Sequence, residues 1–133
     1  MKLGNRDVPS DVCRSVGDVL GRVGDKWSIV VIVMLAERPC RFNLLRREIG
    51  IITQKMLTST LRNLERDGYV TRVEVPGNVR HVEYGLTQMG HDVLLPMSQL
   101  AFWALDHRDA VEAARRHFDT LGSGLHAIAA DRN

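Results

Sequence analysis

A chain of 133 residues, 44% hydrophobic and 26% charged, has the make-up of an ordinary soluble domain. No uncharged apolar run approaches the roughly 18 residues that a membrane span needs. The polar start, Met1–Ser10, lacks the apolar stretch of a secretory signal, so the cytoplasm, at the nucleoid, is the expected location. Cys13 and Cys40, with no Cys-x-x-Cys, exclude a disulfide framework and a zinc site of cysteines alone.

The formal charge of +2 hides an uneven layout. Residues 38–80 carry nine basic side chains against four acidic ones, net +5, while residues 1–37 are balanced and residues 81–133 are net −3. A basic middle between neutral and acidic flanks points to a polyanionic partner. Fifteen of the 18 basic residues are Arg, which suits bidentate contacts to phosphate or guanine.

From Ser10, expected as an N-cap, Val12, Val16, Val19, Leu20 and Val23 recur on one helical stripe. Gly24 can end this helix and Asp25 can cap the next. Trp27–Ala36 is nearly all apolar and rich in β-branched residues, and periodicity alone fits a buried strand as well as a buried helix. Its length and the Asp25 cap favour the helix. After Pro39, a two-turn helix is expected from an Asn43 cap, with Phe42, Leu45 and Ile49 inward and Gly50 as its stop.

Thr53 is placed to cap a helix running to about Asp67 and closed by Gly68. At 100° per residue Leu57, Leu61 and Leu64 form one stripe, while Thr58, Arg62, Lys55, Arg66 and Ser59 fall about 100° to 200° away. That outer face is basic and hydroxylic, with Glu65 at its margin. Two alternating runs follow, Val70–Val75 and His81–Leu86, joined through Pro76-Gly77-Asn78, which predicts a β-hairpin. Thr87 caps a long apolar helix using Met89, Val93, Met97, Leu100, Ala104 and Leu105, in which Pro96 predicts a kink or break. A further helix is expected from Asp109 to about Leu121, and a mobile tail over 122–133.

Short helix, tight turn, helix with a basic outer face, then hairpin is the order of a winged helix-turn-helix. The expected fold is mainly α with a small β-hairpin wing (α+β): one domain, core about 24–87, with dimerisation helices about 10–23 and 88–121. The second helix would enter the major groove of double-stranded operator DNA with its N-terminal residues leading. Thr53, Gln54, Lys55, Thr58, Ser59, Arg62 and Arg66 are its candidate contacts, Arg62 being able to take guanine O6 and N7 together. Arg41, Asn43 and Arg46 would touch the sugar-phosphate backbone and set register. Asn78, Arg80 and His81 at the hairpin tip would reach an adjacent groove.

The same residues resemble the HxlR family of bacterial winged-helix transcriptional regulators, relatives of the MarR type. The resemblance spans about Cys13–Trp103. It rests on Cys13, Gly24-Asp25-Lys26-Trp27, Arg41-Phe42-Asn43-Leu44-Leu45-Arg46, Gln54-Lys55-Met56-Leu57-Thr58, Leu61, and Leu64-Glu65-Arg66-Asp67-Gly68. Val82-Glu83-Tyr84, Leu86-Thr87 and Gly90 complete it. It implies a homodimer bound to operator DNA, and it implies a helix for Trp27–Ala36. The family's wing usually reads Pro-Pro-Arg before Val-Glu-Tyr, where this chain has Val79-Arg80-His81.

Helix-turn-helix monomers of this size make few base contacts, so pairing on a palindrome is expected, with repression by obstruction of the promoter. Val12, Val16, Leu20, Met97, Leu100, Trp103 and Ala104 are the candidate dimer interface. Cys13 aligns with a family position that in some members senses oxidants or electrophiles; Cys40 is a candidate resolving thiol. The bland alternative for either is a small buried hydrophobe. No nucleophile elbow, HExxH, phosphate loop or carboxylate pair argues for an enzyme, and the five histidines are scattered, so no cofactor and no metal is expected. A small-molecule or oxidant effector fits the reading, and no membrane role is expected. The alternative is a winged helix that binds only protein, whose outer face would expose apolar anchors.

Overall fold

The structure, a computed structural model, describes the backbone of residues 1–131 and the side chains of residues 1–122. In chain order it comprises β1 (Lys2–Leu3), β2 (Arg6–Asp7), a 3-10 turn (Ser10–Val12), α1 (Cys13–Val23), α2 (Lys26–Glu37) and β3 (Cys40–Arg41). Next come α3 (Phe42–Ile49), α4 (Gln54–Arg66), β4 (Val70–Val75), β5 (His81–Leu86) and α5 (Gln88–Asp131). The chain divides into two compact units, Met1–Met97 and Ser98 onward. The winged helix-turn-helix lies within the first.

Local signals set most boundaries. Asp25 is extended and its carboxylate accepts from Ser28 N at 3.3 Å, so α2 starts as a capped helix. Val31, Ile32 and Leu35 of α2 are at most 2% exposed, and its continuous apolar run is that of a helix buried on several sides. Thr53 is extended and its hydroxyl accepts from Met56 N at 3.1 Å, capping α4. Gly50 (φ +80°) turns the chain between α3 and α4, and Gly68 (φ +86°) turns it after α4; both lie in the left-handed region that glycine enters without steric cost.

Leu57, Leu61 and Leu64 of α4 are at most 1% exposed and meet Leu45 of α3, Ile52, Tyr69 and Val70 in one core. The sheet has three strands in the order β3-β5-β4, all antiparallel. Val70 pairs with Leu86 at its inner end and Val75 with His81 at its outer end, leaving Pro76–Arg80 as the tip.

Several expectations are corrected. Ser10 begins a 3-10 turn, and Val12, already helical, precedes α1 with no side-chain cap. Asn43 does not cap α3, because pairing with Glu83 holds Arg41 extended and the helix starts at Phe42 directly after it. The wing is a hairpin with a third strand, β3, and a second small hairpin, β1–β2, precedes α1. Helix α5 continues through Pro96 and through residue 108, joining the two helices expected there. A proline removes one backbone donor, and Pro96 sits on an exposed position where the orphaned carbonyl can be hydrated. The helix expected to end at about Leu121 runs on to Asp131, so of the tail expected over 122–133 only residues 132–133 lie outside the described backbone.

Candidate nucleic-acid interface

Because Leu57, Leu61 and Leu64 hold one side of α4 in the core, its opposite side must face outward. Gln54, Lys55, Thr58, Ser59, Arg62 and Arg66 are all exposed and line one open groove of about 980 Å³ together with Asn63 and Glu65. The groove therefore brings together six of the seven residues expected on this helix. Thr53, the seventh, is exposed but spends its hydroxyl on the cap. Glu65 is the one carboxylate among the groove's lining residues, against three cations.

Arg41 is exposed on β3 at the root of the sheet, with Asn43 and Arg46 exposed on α3. Asn78 and Arg80 are exposed at the wing tip. His81 is less available than expected: its side chain is 19% exposed, with Nε2 3.3 Å from Glu83 Oε1 and Nδ1 3.3 Å from the Val79 carbonyl. A cleft of about 360 Å³ separates α4 from the sheet, lined by Thr58, Leu61, Arg62, Glu65, Arg72 and Tyr84. Neither Arg72 nor Tyr84 is among the DNA contacts expected from the sequence, where Tyr84 enters only through the family resemblance. The signal was the two-residue alternation, which puts Arg72 on the same sheet face as the buried Val70.

The two thiols differ. Cys13 opens α1, half-buried, and its Sγ–H points to the Pro9 carbonyl at 3.8 Å. Cys40 is buried on β3 and its Sγ–H donates to the Arg38 carbonyl at 3.4 Å. Burial pushes its thiol above the usual range; Arg38 pulls the other way and Glu48 adds to the rise.

Among the dimer candidates, Val12 (38% exposed), Val16 (38%) and Leu20 (60%) form an open stripe, and no residue of α1 is buried. Leu100, Trp103 and Ala104 are exposed on α5, where Trp103 stacks on His107 with ring centroids 4.3 Å apart. Met97 is instead 4% exposed and belongs to the core. Among the described residues no helix is long and apolar enough to cross a membrane, and no group of three potential metal ligands occurs.

A three-stranded wing, a glycine turn between two short helices and an exposed, basic second helix define a winged helix-turn-helix protein of the MarR-like kind. The chain belongs to the HxlR-like helix-turn-helix family, which it matches over residues 22–112. It is 41% identical over 86 residues to the HTH-type transcriptional regulator YtfH of Escherichia coli (strain K12), covering 65% of this chain and 68% of that one. Among solved structures it is similar to the redox regulator HypR in its reduced form: 35% identity, TM-score 0.66, covering 74% of this chain and 98% of that one. The diamide-treated YodB of Bacillus subtilis is also similar: 29% identity, TM-score 0.64, covering 71% and 93%. The protein is a transcriptional regulator of the helix-turn-helix type.

Proposed function

We propose that the chain acts as a homodimer that reads a palindromic operator in double-stranded DNA and represses by occupying it, in the cytoplasm at the nucleoid. The outer face of α4 carries this reading. Seven exposed polar side chains line its groove, three of them cations and one a carboxylate, and no aromatic or aliphatic anchor of the kind a protein-binding face needs is among the lining residues. Lys55, Thr58, Ser59 and Arg62 read base edges, with Gln54 at the leading end that the Thr53 cap holds in place; Arg41, Asn43, Arg46 and Arg66 hold phosphates. Asn78, Arg80 and, to a lesser degree, His81 carry the wing contacts. The open stripe of α1 and, separately, the exposed Leu100, Trp103 and Ala104 of α5 each support pairing, because an exposed apolar patch marks an interface.

Fluorescence anisotropy with the duplex upstream of the chain's own gene, against random duplex and across a salt series, tests the reading. Preferential binding with a steep negative salt slope is expected. Absence of binding to either duplex at low salt would favour a protein-binding module.

A thiol response through Cys13 is the second part of the proposal. It rests on the half-exposed position of Cys13 at the start of α1 and on similarity to a protein described as a redox regulator. Diamide or hypochlorite should change DNA affinity in the wild type and leave Cys13→Ser unmoved; equal responses end the idea. The buried, protonated state of Cys40 argues against it as the partner thiol.

A further inference from the structure

We propose that Arg72 and Tyr84, at the root of the wing, hold the DNA phosphate that crosses between the recognition helix and the wing. This rests on the DNA-binding reading above and adds to it a wall of the site that the sequence did not reveal.

The placement follows from strand alternation. Val70 pairs with Leu86, Arg72 with Tyr84 and Glu74 with Val82, so these six side chains share one face of the sheet. The inner end of that face is closed: Val70 is 2% exposed and β4 packs on α4. One pair further out the face leaves the core. Arg72 is exposed, Tyr84 is half-buried, and both line the cleft opposite Thr58 and Arg62 of α4.

A helix in the major groove and a hairpin tip in the adjoining minor groove are separated by one sugar-phosphate strand. That strand has to pass through the space between the two elements. Here the sheet wall of the space carries the Arg72 guanidinium and the Tyr84 phenol, which can donate a further hydrogen bond, and it faces Thr58 and the base-reading Arg62 of α4. Its floor is Leu61, 1% exposed, which offers the anion nothing deeper. Glu65 also lines the cleft, and Glu74 lies on the same sheet face toward the tip. Glu65 opposes an anion in the cleft itself and Glu74 opposes one nearer the tip, so a phosphate is held there only where Arg72 and Tyr84 outweigh them.

A phosphate contact is blind to sequence and releases counterions on binding. Arg72→Gln is therefore expected to weaken operator and random duplex by the same factor, roughly tenfold, and to shrink the salt slope by about one. Arg72→Lys should keep the slope, and Tyr84→Phe should weaken binding with the slope unchanged. Circular dichroism of each variant confirms that the fold is retained. A methylphosphonate scan of the operator then locates the contact: one neutralised phosphate between the helix-read and wing-read segments should weaken the wild type and cost Arg72→Gln nothing more. Unchanged affinity and slope in Arg72→Gln, or a loss confined to the operator, overturns the assignment while wild-type binding leaves the DNA reading standing. A wild type that binds neither duplex overturns both.

Discussion

The Nε–H of Arg22 donates to Oδ2 of Asp67 at 2.7 Å, tying the last turn of α1 to the residue that closes α4. Among the described residues it is the ion pair that joins elements distant in sequence; His81–Glu83 and Arg108–Asp109 are local. Both side chains are 32% exposed, so water and salt screen the attraction and the pair is worth about 0.5–1 kcal/mol. Arg22→Ala and Asp67→Ala should each lower the stability measured by urea unfolding by about that amount, and the double variant should lose no more than either alone. Additive losses would show that the two residues act separately.

Gly90 of α5 lies against the backbone of Tyr69, where a Cβ would run into the Tyr69 carbonyl oxygen. That carbonyl already accepts from Thr87 N at 3.0 Å, and the Thr87 hydroxyl donates to the Gly68 carbonyl at 2.6 Å while accepting from Gly90 N at 3.1 Å. The junction between α4, the wing and α5 thus depends on the absence of a side chain. Gly90→Ala should cost about 1–3 kcal/mol by forcing backbone apart, read as a lowered unfolding midpoint. A midpoint within error of the wild type would mean that the helix start can shift at no cost.

Thr53 was expected to touch DNA, and its hydroxyl instead caps α4. Thr53→Ala should cost about 1 kcal/mol of stability, and it should also weaken DNA binding by loosening the turn that carries Gln54 and Lys55. Thr53→Ser should rescue both. If Thr53→Ser restored stability and not binding, the methyl group would be the DNA contact.

What the sequence made legible is what a short window decides. The basic face of α4 follows from 3.6-residue periodicity, and its two ends from a hydroxyl and a glycine at the right offsets. The hairpin follows from alternation around Pro76-Gly77-Asn78. Strand β3 escaped because two residues after a proline carry no period; only their pairing with Tyr84 and Glu83, more than forty residues away, makes them a strand. The same pairing moved the start of α3 off Asn43. Alternation divides Val70–Val75 into two faces but does not say which one meets α4; the burial of Val70 decides it and puts Arg72 on that face.

Arg62 and Arg46 separate base reading from phosphate holding. Arg62 lies on the groove face of α4 and Arg46 on α3. Arg62→Ala should cost about 1–3 kcal/mol on the operator and relax discrimination against random duplex. Arg46→Ala should weaken both duplexes alike and reduce the salt slope by about one. Equal losses on both duplexes for Arg62→Ala would reassign it to the backbone, where it would share the phosphate in the cleft with Arg72.

The two thiols should separate by rate and by pH. Burial raises the Cys40 thiol above its ordinary value of 9.0, whereas Cys13 is half-buried at the start of α1. The thiolate is the reactive form, so at neutral pH a thiol-disulfide reagent should modify Cys13 first and reach Cys40 only as the fold opens. The same shift sets a stability slope. Below pH 9.0 both folded and unfolded chains keep the Cys40 proton and nothing is lost. As pH rises through 9.0 the unfolded chain releases it while the folded chain still holds it, so stability falls with rising pH. Unfolding midpoints measured across the alkaline range should therefore decline more steeply in the wild type than in Cys40→Ala. Parallel declines would show that Cys40 ionises in the fold as freely as in the open chain.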